Sequence, residues 1–74
     1  MTHVKAWVAC VENKTRAWPH GSRFLYSEPH PTEQAAQDWA WAIMDIEGEG
    51  TCELVRVEPN IVPASRVVKP LERS

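Results

Sequence analysis

Hydrophobic and polar residues alternate along His-Val-Lys-Ala-Trp-Val-Ala-Cys-Val, residues 3–11, which predicts a first strand. Val4, Ala6, Val8 and Cys10 share one face of it, and Lys5, Trp7, Ala9 and Val11 the other. Residues 12–21 are polar and hold Pro19 and Gly21, as a long connection would, and Arg23-Phe-Leu-Tyr-Ser reads as a second, short strand completing a hairpin. Pro29 and Pro31 end that strand. Thr32 then supplies a hydroxyl able to cap a helix running from Glu33 to about Glu47, a stretch with four alanines and no glycine or proline. Gly48 or Gly50 provides its left-handed stop. Thr51-Cys-Glu-Leu-Val-Arg-Val-Glu alternates again and gives the third strand, closed by Pro59.

The order ββαβ, with a right-handed crossover through the helix, predicts an α+β fold. It is a three-stranded antiparallel sheet of order 2-1-3, with one helix on one face and an extended C-terminal segment. A register pairing Val8 with Leu54 would set Cys10 opposite Cys52, both on the face under the helix, where a disulfide is one option and two buried thiols the other. Residues 1–58 form the domain. Residues 59–74, with Pro59, Pro63 and Pro70 and the pairs Ile61-Val62 and Val67-Val68, read either as a disordered tail or, since they are more apolar than a solvated tail needs, as an extended segment that packs on the domain or on a partner, as edge-strand addition would allow.

Within the helix, Ala36, Trp39, Ala40, Ile43 and Ile46 make the core stripe. Trp41 points away among Gln34, Gln37, Asp38 and Asp45, with Met44 one turn on. On the sheet, Trp7, Val11, Val55 and Val57 are expected on a second face with no layer to cover them. The tail, a second copy packed sheet to sheet, or another protein would complete it.

Composition sharpens this picture. Leu, Ile, Val and Phe number only 15 of 74 residues, so four tryptophans, each able to bury about 150–250 Å², must carry much of the core. A chain this short buries only about 60% of its unfolded surface, which leaves little mass for a deep catalytic cleft. No run of about 18 apolar residues is present to span a membrane, and the first residues lack the blocks of a secretory signal. Two cysteines make no disulfide framework, which fits a reducing cytoplasm.

The net charge of −2 hides three blocks: +3 over residues 1–27, −7 over 28–58 and +2 over 59–74. The acidic block, including Glu33, Asp38, Asp45, Glu47, Glu49 and Glu53, has few compensating cations. It would repel phosphates, and reads as a solvated helix face and turn or as a lure for a basic partner. The loop from Lys14 through Arg16, Trp18 and His20 to Arg23 nevertheless mixes cations with an aromatic, the chemistry that stacks bases and neutralises phosphate. Its plainer reading is a solvated loop with Trp18 folded onto the core edge.

His3, His20, His30, Cys10 and Cys52 show no paired spacing of the zinc type, and no nucleophile, base and oxyanion group can be assembled. No metal, cofactor, small-molecule substrate or enzymatic activity is expected. Three segments carry a resemblance: Val4-Lys-Ala-Trp-Val, Pro31-Thr-Glu-Gln-Ala-Ala and Glu53-Leu-Val-Arg-Val-Glu-Pro. In these the chain resembles the short ββαβ accessory proteins of actinobacterial phages. That resemblance implies a non-enzymatic protein that binds a host or phage component, in the host cytoplasm, and carries over no site residue.

The leading expectation is a protein-binding module, as a homodimer or with another protein. Its candidate anchors are Trp41, Met44, Asp38 and Asp45 on the helix, or Trp7, Val55 and Val57 on the sheet. The alternative is nucleic-acid binding through Lys14, Arg16, Trp18 and Arg23 with the basic tail.

Overall fold

The structure, a computed structural model, describes residues 2–48 and 50–68. Strand β1 covers His3–Asn13, β2 Phe24–Tyr26, helix α1 Glu33–Glu47 and β3 Cys52–Pro63; a 3-10 turn, Ala64–Arg66, follows. The chain is α+β, with the sheet antiparallel in the order β2-β1-β3 and α1 laid on one face.

The helix forms where its local signals place it. Thr32 is the N-cap, its Oγ1 accepting from the Ala35 amide at 3.1 Å, and Glu33 puts a carboxylate at the positive end of the helix. Gly48, at φ 97°, ends it in a conformation that costs residues with a Cβ. Ala36 and Ala40 are fully buried, and these small residues set the line along which α1 meets the sheet. Ile46, expected in the core stripe, stands about a quarter-turn from that line and is 77% exposed. Met44, expected to point outward with Trp41, is half-buried and packs against the core.

The register corrects the expected pairing. Val11, not Val8, lies opposite Leu54, and Cys10 faces Arg56 while Cys52 faces Asn13. A bulge between Cys10 and Val11 leaves Val55 as an extra residue on β3. One inserted residue reverses the inward and outward parity of a strand, so Cys52 and Leu54 share a face with Val57. That face lies under α1: Ala9, Val11, Trp18, Ala36, Ala40 and Cys52 are buried together, and Trp7, Leu25, Trp39, Ile43, Leu54 and Val57 pack against them.

Trp7 and Val57, expected on an uncovered face, are therefore covered, and Val55 is exposed at the bulge. The reason is the β3 side of the pairing. Val4, Ala6, Val8 and Cys10 stand with Val62, Asn60, Glu58 and Arg56, so theirs is the polar face. The sheet-to-sheet dimer drawn through Trp7, Val55 and Val57 loses its surface. Cys10 and Cys52 lie on opposite faces, both buried as free thiols, so no disulfide links them.

The polar face closes itself. Arg56 on β3 reaches over Cys10 on β1 to Tyr26 on β2, donating from Nη2 to the phenol oxygen at 3.2 Å with its guanidinium 5.8 Å from the ring centre. Glu58 pairs with the same guanidinium at 3.5 Å. This strap lies over Cys10, which is buried.

Pro59 does not close the third strand, which runs on to Pro63 beside the start of β1. The amide and carbonyl of Trp7 are both bonded to His30 on the β2 side, so Pro59, opposite Trp7, needs no amide hydrogen for the ladder. Its missing donor lies on the free edge, where the Ile61 amide is also occupied, by Asn60 Oδ1 at 3.1 Å. Proline, a self-capped amide and a bulge blunt this edge against strand addition. Past Pro63 the chain passes from the β3 side of β1 to the β2 side, where the Val68 amide donates to the Pro29 carbonyl at 2.8 Å. Residues 59–68 thus belong to the folded unit, and the rest of the expected tail, 69–74, lies outside the described residues.

His30 sits at the bridge to Trp7 with a buried Nε2 that has no hydrogen-bond partner among the described residues. Burial holds its imidazole below the ordinary value of 6.5, against an opposing pull from Glu28. Above that value both folded and unfolded chains hold it neutral, and its contribution to stability is complete. As pH falls, the unfolded chain takes up a proton first, so the contribution is lost towards the lower folded pKa. Urea midpoints measured from pH 7.5 to 5 should fall for the native chain and fall less for His30→Leu.

Candidate protein-binding face

The loop between β1 and β2 is tied inward. Asn13, buried at the end of β1, accepts three hydrogen bonds at Oδ1: from the Thr15 amide and hydroxyl, both at 2.9 Å, and from the Arg16 amide at 3.1 Å. Trp18 is 8% exposed and donates from Nε1 to the Arg23 carbonyl at 2.9 Å, while a turn at Gly21, φ 94°, folds the chain back. The aromatic offered for base stacking is thus a core residue. Lys14 is paired with Glu53, which raises its pKa through that hydrogen bond and charge, and Arg16 is paired with Glu47 at 3.1 Å. Of the four nucleic-acid candidates, only Arg23 is exposed and in no ion pair among the described residues. The four do not form a cationic stacking surface.

The outer face of α1 is organised differently. Asp38, Trp41 and Asp45, three and four residues apart, share it, as helical spacing requires. Asp38 accepts from Gln34 Nε2 at 2.9 Å, and neither aspartate is in an ion pair among the described residues. The helix contains no lysine or arginine. Trp41 is 57% exposed, whereas Trp7, Trp18 and Trp39 pack on or in the core.

Beside Trp41 the chain reverses. Gly48 and Gly50 both take positive φ, the Thr51 amide donates to the Gly48 carbonyl at 3.2 Å, and Cys52 is brought back against the last turns of α1. The result is an open cavity of about 220 Å³ lined by Trp41, Met44, Asp45, Gly50 and Cys52. Burial pushes the Cys52 thiol up, Glu47 adds to the effect and Arg16 opposes it, so the sulfur stays protonated and serves as a soft apolar wall.

The structure therefore brings together Trp41, Met44, Asp38 and Asp45 from the expected set, and separates them from Trp7, Val55 and Val57. Cys52 and Gly50 join the site unforeseen, because only the true register and the glycine turn carry them there. Among the described residues no group of three or more His, Cys, Asp or Glu side chains is placed to hold a metal ion. No helix among them is long and apolar enough to cross a membrane. Compared with models of protein families, with curated proteins and with solved structures, the chain matches none.

Proposed function

We propose that this chain is a non-enzymatic protein-binding module that engages its partner through the outer face of α1. The observation that carries the reading is the exposure of Trp41 alone among four tryptophans, beside an open cavity. In a domain so short of aliphatic residues, an indole left out of the core is available to a partner, and tryptophan is enriched where binding energy concentrates. Asp38 and Asp45 flank it and form a rim that attracts a basic surface.

The same charges argue for a different protein over a second copy. A two-fold contact through this face would set the aspartates of one copy against those of the other, with no cation on either helix to offset them. The resemblance to phage accessory proteins is in keeping with such a role, and would put the partner in the host cytoplasm.

Affinity capture with the native chain, Trp41→Ala and the distant control Ile61→Ser tests the reading. Trp41→Ala should leave stability within about 0.5 kcal/mol, since the side chain is mostly outside. It should weaken retention of the partner about thirtyfold, the effect of losing an anchor of about 2 kcal/mol. Ile61→Ser should retain the partner. If Trp41→Ala retains the same proteins in the same amounts, the reading is wrong.

A further inference from the structure

Resting on the reading of the Trp41 face as a binding surface, we propose that the cavity beside Trp41 receives an arginine side chain of the partner protein. The cavity lies at the C-terminal end of α1, where the helix dipole is negative and the last carbonyls lack intrahelical partners. Helices commonly place a lysine or arginine there, but the last turn of α1 has no basic residue. Nearby cations are already engaged, Arg16 with Glu47 and Lys14 with Glu53. Asp45, on the cavity wall, is left without an ion pair among the described residues.

The remaining walls select among cations. Trp41 presents a ring against which a planar guanidinium can stack while directing in-plane donors to the Asp45 carboxylate, a combination a compact ammonium does not match. Met44 and Cys52 line the cavity with polarizable sulfur, suited to the methylene stem of arginine. Gly50 contributes no side chain, and open space surrounds the position its Cβ would take. A purely apolar side chain would desolvate Asp45 without pairing it, which is unfavourable.

Short blocked Gly/Ser peptides with one central arginine, citrulline, lysine or norleucine test this, titrated into the full chain and followed by amide and indole NMR shifts. The arginine peptide should shift the Trp41 indole and the Asp45, Gly50 and Cys52 amides. Citrulline, the neutral isostere, should bind about tenfold more weakly, the scale of one charge-assisted hydrogen bond. Asp45→Asn should abolish that difference while leaving the rest of the spectrum in place. Equal binding of norleucine or lysine, an unchanged preference in Asp45→Asn, or no shift at these residues overturns the arginine assignment. The two readings fail separately. If Trp41→Ala still releases the partner while the arginine preference is absent, the face stands and its ligand chemistry is wrong; if Trp41→Ala also retains the partner, both fall.

Discussion

Replacing Trp18 by alanine is expected to bring the domain close to unfolding. Its indole is buried against the core although it comes from a loop, and its Nε1 shares the Arg23 carbonyl with the Asn13 amide. Truncating a buried tryptophan costs about 3–5 kcal/mol, through lost transfer energy and the cavity left behind. At about 0.05–0.15 kcal/mol per residue, a domain of this length has only about 4–11 kcal/mol in total. Urea denaturation followed by far-UV circular dichroism should show a midpoint near zero denaturant, or a melting temperature lower by about 12 °C or more. Trp18→Phe keeps most of the apolar body and loses the donor, so it should cost only about 1 kcal/mol. If Trp18→Ala is as stable as the native chain, the loop does not close over the core as described.

The second large effect is expected at Asn13, whose carbonyl oxygen organises the first turn of that loop. Asn13→Ala removes the acceptor of three hydrogen bonds at once, from two donors on Thr15 and one on Arg16. Its side chain is buried at the end of β1, and the expected loss is about 1–3 kcal/mol. Asn13→Asp keeps an acceptor beside Lys14 and Arg16, and should be less destabilised than Asn13→Ala at neutral pH. Thr15→Val, which removes one of the three donors, should also lose less than Asn13→Ala. Equal losses in Asn13→Ala and Asn13→Asp would mean that the amide group, and not the acceptor, matters.

Helix α1 was legible because each of its signals is local: a capping threonine, an alanine-rich interior and a glycine stop. Strand order followed from the order of elements and crossover handedness. The faces of the sheet were not legible, because β1 is apolar on both sides and a single strand carries no sign of which side meets the helix. That information sits on β3, and there one bulged residue, Val55, reverses the alternation halfway along. Reading the strand with an unbroken period of two assigns Val57 to the wrong face. Pro59 misled for a related reason: it ends a strand flanked on both sides but is tolerated on an edge, and β3 is an edge.

The site divides the same way. Trp41, Asp38 and Asp45 follow from helical spacing alone. Met44 follows from the same helical spacing, whereas Gly50 and Cys52 enter the cavity wall only when the Gly48–Gly50 turn and the register are known, so spacing along the chain could not join them. The tryptophans that the short aliphatic core demanded are three in number, and the fourth, Trp41, stands exposed on the outer face of α1.

Hydroxyl-radical footprinting of the four tryptophans, in the free chain and in complex with the protein captured through it, tests that division most directly. Trp41 should be oxidised fastest in the free chain and Trp18 slowest, and on complex formation Trp41 should lose most of its reactivity while the other three change little. A Trp41 as protected as Trp18 in the free chain, or an unchanged Trp41 in the complex, would contradict the assignment of α1 as the binding face.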